Sequence, residues 1–214
     1  RFGRYRFLTV GLIVFGIGSA LSAMATDANL LIGTRALMGV GGAFIMPATL
    51  SILTNVFTEP RERAKAIGIW AGVSALGLGV GLVTGGFLLA HLWWGSIFLV
   101  NIPVVIAGLI FGYRYIPESK DPNPSKADPL GALLSIAALG VLLAAVIEAP
   151  AHGWTSPEIL AGFATGIALF VGFMVWEMRC DHPMLNLEFF KNPRFSAASA
   201  AITLTFLGLF GMIF

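Results

Sequence analysis

Apolar positions run together along this chain in seven long stretches: Phe7–Ala25, Asn29–Val56, Ala64–Ala90, Trp94–Tyr115, Pro129–Ala149, Pro157–Met178 and Phe195–Phe214. Each is about twenty residues or longer, and twenty helical residues rise about 30 Å, the thickness of a bilayer's hydrocarbon layer. Each stretch therefore predicts a membrane-crossing helix. Polar and helix-breaking residues separate them: Thr26-Asp27-Ala28-Asn29, Thr58-Glu59-Pro60, Ile116-Pro117-Glu118, Ala149-Pro150 and Asn192-Pro193. Pro129 and Pro157 stand where a first helical turn tolerates proline. Two segments between stretches have a character of their own. Glu118–Asp128 is polar and proline-rich, as a hinge would be. Cys180–Arg194 sets Met184, Leu185, Leu187, Phe189 and Phe190 among polar neighbours. That pattern fits a short amphipathic helix at the membrane interface or an ordinary connector.

Composition narrows the class to a polytopic all-α membrane protein. Of 214 residues, 57% are apolar and 11% charged, against about 25% charged in a soluble domain. Abundant large apolar residues exclude disorder. Twelve of the thirteen Lys and Arg residues lie on alternate loops: Arg1, Arg4 and Arg6; Arg61, Arg63 and Lys65; Arg114, Lys120 and Lys126; Arg179, Lys191 and Arg194. The loops between carry none. By the positive-inside rule the basic loops face the cytoplasm, so the first residues lie inside and the seventh helix runs outward. The basic residues form no stripe, which speaks against a nucleic-acid partner; the partner this chain requires is the lipid bilayer. A start at Arg1 and an end within an apolar run read as an internal piece of a longer protein.

The thirteenth basic residue, Arg35, lies inside the second stretch, eight residues past Asp27. Insertion scales put a centrally placed Arg at about 2.5–3.5 kcal/mol. Such a charge faces a bundle interior or an aqueous cavity, or it snorkels to the nearby interface. No acidic residue in the seven stretches lies at a matching depth, so a carboxylate partner would come from elsewhere. The third stretch repeats Gly77, Gly81 and Gly85 at every fourth position, followed by Gly86. A face without side chains suits close helix packing and could also slide or bend. A second glycine group, Gly39, Gly41 and Gly42, precedes Met46-Pro47, where proline should kink the helix. One cysteine, Cys180, and three scattered histidines offer neither a disulfide nor a metal site. There is no G-x-S-x-G, H-E-x-x-H or P-loop, so neither an enzyme nor a cofactor is expected. Work done here would draw on an ion gradient or on another chain.

Three patches together resemble the major facilitator superfamily, in particular its fourteen-helix drug:proton antiporter branch. Arg1-Phe2-Gly3-Arg4-Tyr5-Arg6-Phe7-Leu8 looks like the end of the loop signature G-x-L-A-D-R-x-G-R-K-x-x-L, with Tyr5 in place of Lys. Leu31–Ala43 is similar to L-x-x-x-R-x-x-Q-G-x-G-A-A, matched by Arg35, Gly39 and Gly41, with Met38 in place of Gln. Gly77–Gly86 is similar to the antiporter signature G-x-x-x-G-P-x-x-G-G, with Leu82 in place of proline. Met46-Pro47-Ala48-Thr49 and Trp93-Trp94-Gly95-Ser96-Ile97-Phe98-Leu99-Val100-Asn101-Ile102-Pro103 look like the branch's quaternary-ammonium and methyl-viologen exporters.

The resemblance implies helices three to nine of such a fold. It divides the chain into 1–116, the rest of the N-terminal six-helix bundle; 117–128, a cytoplasmic linker; 129–178, an extra central helix pair; 179–194, an amphipathic connector; and 195–214, the first helix of the C-terminal bundle. It implies a monomeric multi-pass carrier of a bacterial cytoplasmic membrane, exporting amphipathic organic cations in exchange for protons by alternating access. It gives Arg35 a role in proton coupling. It makes Gly77, Gly81, Gly85 and Gly86 a hinge or seal, and it has Arg1, Gly3 and Arg4 latch the cytoplasmic side. Phe44, Met46 and Trp70 are then the candidates for holding substrate. An uptake or facilitative carrier, and a non-transporting scaffold, are the alternatives.

Overall fold

The computed structural model describes residues 3–119, 128–180, 182–185 and 187–213. Arg1, Lys120 and Lys126 lie outside them, as does most of the 117–128 linker. Regular structure among the described residues is helical throughout: α1 (Arg4–Ala23), α2 (Ala28–Val56), α3 (Pro60–His91), α4 (Ser96–Leu99), α5 (Asn101–Tyr115), α6 (Pro129–His152), α7 (Pro157–Arg179) and α8 (Pro193–Ile213), with a 3-10 turn at Leu187–Lys191. Six spans, counting α4 and α5 as one, are long and apolar enough to cross a membrane. The 21-residue α8 occupies the seventh stretch. In hydrocarbon the backbone must satisfy its own hydrogen bonds, and helices do so locally.

The helix starts follow the expected punctuation. Asp27 caps α2 by accepting from the Leu30 nitrogen at 2.8 Å. Asp128 caps α6 through the Gly131 nitrogen at 2.9 Å, and Ser156 caps α7 through that of Ile159 at 3.4 Å. Two expectations are corrected. The fourth stretch is one span that begins at Ser96 rather than Trp94, with a turn at Val100 where the backbone keeps helical dihedrals of φ −61° and ψ −24°. Pro103 offers no N–H to the Leu99 carbonyl, so the ladder has a gap there. Ala149-Pro150 does not stop the fifth stretch, which continues through Pro150 to His152. Pro47 likewise lies inside a continuous α2.

The chain forms two compact units, Arg1–Pro124 and Ser125–Phe214. In the first, α1 is the central helix and packs on α2 and on α4–α5. Its seam with α2 is made by backbone: a methyl added at Gly41 would strike the Phe15 nitrogen and the Gly11 carbonyl. Gly16 of α1 faces Val105 of α5. Helix α3 buries none of its residues. In the second unit, α6 and α7 form an antiparallel hairpin on small residues. Ala145 lies against Gly162, and Gly166 admits Leu142. Among the described residues the connector's regular element is the short 3-10 turn, and Phe195 of α8 meets Phe189 at a tilt and Phe190 edge-on, with ring centroids 5.7 and 5.2 Å apart. Those contacts account for part of the connector's apolar pattern by packing.

Alternation of loop charge and helix number leads to a labelling prediction. Cysteines at Thr58 and Asn192 of the full-length protein should react only from the cytoplasmic side, and cysteines at Asn29, Leu92 and Thr155 only from outside. Gly95 is unsuitable as a probe position because a Cβ there would strike the Ala23 carbonyl. Labelling of Asn192 by an impermeant reagent in intact cells would contradict the orientation read from charge.

Candidate functional site

Two polar clusters fasten opposite ends of the first unit. At the Asp27 end, Ser19 and Ser22 of α1 are fully buried, both at 0% exposure. Ser19 Oγ donates to the Phe98 carbonyl at 2.7 Å and accepts from Asn101 Nδ2 at 3.0 Å. The fourth span is thus held by one hydroxyl, which uses both its donor and an acceptor position. Ser22 Oγ donates to the Gly18 carbonyl at 2.8 Å and lies 2.8 Å from Thr34 Oγ1 and 3.5 Å from Met38 Sδ. Thr34 Oγ1 in turn donates to the Leu31 carbonyl at 3.0 Å. Met38, which stands where the resembling pattern carries Gln, keeps the interior position with a thioether as a weak acceptor.

Arg35 follows Thr34 directly but turns outward and is exposed. Its guanidinium carbon lies 5.7 Å from the centroid of the Phe98 ring, within the range of a cation–π interaction. No described residue forms an ion pair with it. Phe98 is buried, with Trp94 edge-on at 6.1 Å. The platform beneath Arg35 is therefore fixed from both sides: its ring by Trp94 and its carbonyl by Ser19.

At the other end, Gly3 has φ +93°, and a Cβ there would strike the Glu118 carboxylate. Glu118 sits at the start of α1, where helix N–H groups lack partners and favour negative charge. It accepts from the Tyr5 nitrogen at 3.3 Å and pairs with Arg6 Nε at 3.6 Å. Arg4 contributes its backbone nitrogen, donating to the Ser119 carbonyl at 2.9 Å. Of the three residues expected at this latch, Arg1 lies outside the described residues. Gly3 enters the contact with Glu118 through its conformation, Arg4 bonds Ser119 through its main chain, and Arg6 supplies the charge opposite Glu118.

The remaining candidates are dispersed. Phe44 packs edge-on against Phe7 at 5.4 Å and lines a pocket of about 310 Å³ with Arg6, Phe7 and Val10. Met46, two positions on and so about 200° round the helix, is exposed. Trp70 is half-buried on α3. Neither Met46 nor Trp70 lines the pocket beside Phe44. A Cβ at Gly77, Gly81 or Gly86 would meet nothing within 4 Å, and one at Gly85 would meet only Ile97, at 3.6 Å. The α3 glycine face is thus uncovered among the described residues. Ser19, Ser22, Thr34, Phe98, Asn101 and Glu118 were not singled out from sequence. The available signal was Asn101 and a Ser pair within otherwise apolar stretches, where an unpaired polar group is costly.

Two outcomes follow. Ser19→Ala orphans both the Phe98 carbonyl and the Asn101 amide, and it should cost about 1–3 kcal/mol in detergent unfolding; Ser74→Ala, whose hydroxyl only back-bonds within an exposed stretch of α3, should cost far less. Gly81→Leu, on a face uncovered among the described residues, should leave membrane expression of the full-length protein intact, and loss of expression would show that another helix covers that face.

The family profile described as Major Facilitator Superfamily matches residues 1–214. The chain is 42% identical to the multidrug efflux pump LfrA of Mycolicibacterium smegmatis, over all of this chain and 42% of that protein. It is 38% identical to the methylenomycin A resistance protein of Bacillus subtilis, over all of this chain and 46% of that protein. It is 34% identical to the multidrug resistance protein Stp of Mycobacterium tuberculosis, over 99% of this chain and 40% of that protein. The chain thus spans less than half the length of these curated relatives.

Proposed function

From the premise that this chain belongs to the Major Facilitator Superfamily, we propose that it forms helices three to nine of a secondary active exporter of drug-like molecules. The reading is a multi-pass carrier of a bacterial plasma membrane. Amphipathic, often cationic, compounds leave in exchange for protons as two helical bundles rock about a midplane site. The carrier makes and breaks no covalent bond and needs no bound cofactor, since the proton gradient supplies the work. Relatives named for multidrug efflux and antibiotic resistance, matched along essentially the whole chain, support the substrate class.

The observation that carries the mechanism is Arg35 held over Phe98. A guanidinium stays charged at any physiological pH, so it does not itself give up a proton. Its part is to bias a carboxylate or a cationic substrate that arrives nearby: it favours the ionised carboxylate and repels the cation. A fixed positive charge on a rigid ring platform can in this way make proton release and substrate binding mutually dependent. The α3 glycine face supports the same reading, since a strip without side chains allows a second bundle to approach closely and to slide.

The test is paired measurement of dye efflux and proton movement in vesicles carrying the full-length protein. Arg35→Met should insert normally and lose both. Arg35→Lys should recover only part, because an ammonium lacks the planar fork that lies flat on a ring and pairs bidentately. Export by Arg35→Met at the parental rate, with the same proton dependence, would reduce Arg35 to an interfacial anchor and remove the coupling assignment.

A further inference from the structure

The last turns of α5 carry a charge and three aromatic rings that the transport reading does not use. The helix has two unlike faces. Val105 and Gly112 are buried. A Cβ at Gly108 would meet Leu12 of α1 and one at Gly112 would meet Tyr5, so this face is seated on α1. Away from that seam the side chains are bare: Val104, Ile106, Ile110 and Phe111 are exposed, and Tyr113 and Tyr115 reach 83% and 73% exposure. Arg114, two positions past Gly112 and so about 200° round the helix, is exposed as well. Ile110, Phe111, Tyr113, Arg114 and Tyr115 line an open groove of about 510 Å³. Phe111 and Tyr115, one turn apart, stack with ring centroids 6.2 Å apart.

We propose that this groove holds the headgroup of an anionic phospholipid, with Arg114 on its phosphate and the hydroxyls of Tyr113 and Tyr115 on neighbouring oxygens. Charge complementarity carries the inference. Arg114 forms no ion pair among the described residues. Glu118, the acidic residue nearest to it in sequence, is taken by Arg6 and by the Tyr5 nitrogen. A guanidinium left without an anion at the edge of hydrocarbon is costly, and its planar fork matches a phosphate bidentately. The tyrosines fit the same depth: the ring lies among acyl chains while the hydroxyl reaches the headgroups. Val104, Ile106 and Ile110 continue the exposed face toward the middle of the span and give an acyl chain an apolar strip to lie along.

The headgroup's net charge decides which lipid fits. A zwitterionic lipid also offers a phosphate, but it brings an ammonium group beside the guanidinium and loses part of the attraction. An anionic lipid brings no opposing cation. The loop charges assign this end of α5 to the cytoplasmic leaflet, where a basic side chain gains from an anionic surface. A further protein helix laid on this face would fit worse, since it would cover an unpaired Arg114 with hydrocarbon. The site lies on the outer side of α5 and does not depend on whether Arg35 couples transport.

Native mass spectrometry of the full-length protein, titrated with dioleoyl phosphatidylglycerol and separately with dioleoyl phosphatidylcholine, tests this. The parent should retain phosphatidylglycerol in preference. Arg114→Gln should weaken its tightest phosphatidylglycerol site roughly five-fold, the effect of one basic side chain at an anionic surface, and leave phosphatidylcholine binding as in the parent. Arg114→Lys, which keeps the charge but not the fork, should fall between. Tyr113→Phe combined with Tyr115→Phe should also weaken phosphatidylglycerol binding, and this variant decides the matter if Arg114→Gln fails to accumulate. Equal phosphatidylglycerol binding by the parent and these variants would overturn the proposal. In liposomes of the two lipids, the photoreactive substitution Phe111→benzoylphenylalanine should capture phospholipid; capture of another segment of the protein instead would mean that a helix covers this face, and would overturn it equally. Drug efflux is not the readout, so a negative result leaves the exporter reading standing.

Discussion

Three helical elements of the first unit meet at a single serine hydroxyl. Ser19 on α1 donates to the Phe98 carbonyl at the end of α4 and accepts from Asn101 at the start of α5. Polar groups buried between membrane helices have no water to satisfy them and must be satisfied by protein. Ser19 satisfies the carbonyl, Asn101 completes the hydroxyl, and Phe98 is held beneath Arg35 as a result. The fourth span, the buried serine and the placement of the intramembrane charge are one arrangement.

Small residues make that arrangement possible. Because hydrocarbon rewards apolar burial no more between helices than against lipid, association depends on close approach and polar contacts. Gly11 and Gly41 bring α1 and α2 to backbone contact, and this places Ser22, Thr34 and Met38 within reach of one another. Gly3, with its positive φ, brings Glu118 against the opposite end of α1. That ion pair with Arg6 is exposed and contributes about 1 kcal/mol or less, so the hydrogen bonds to the Arg4 and Tyr5 nitrogens matter more for geometry. Helix α3 differs: its glycines are as numerous, yet it buries nothing here.

The α6–α7 hairpin uses the same means with another result. Alanine and glycine seat the helices closely, and the closeness at Gly131 drives two carboxyls together. Asp128 is fully hydrogen-bonded there, while Glu177 has one oxygen satisfied by the connector and one left over.

The sequence by itself determined the membrane class, the helix spans to within a few residues, the first-turn prolines and the family. Those properties rest on local periodicity, on turn chemistry and on the fixed thickness of a bilayer, all of which act on neighbours in the chain. Arg35 was legible too, because a charge in an apolar run is conspicuous wherever it points. The tertiary structure alone decided which polar residues meet. Ser19 and Asn101 are 82 positions apart and Asp128 and Trp176 are 48 apart; their pairing depends on crossing points set by Gly41, Gly16 and Gly131, where the absence of a side chain rather than its presence fixes the contact. The same reason explains why glycine spacing pointed to α3 while the tight seam lies between α1 and α2: small residues permit an approach, but only the position of a second helix makes use of it.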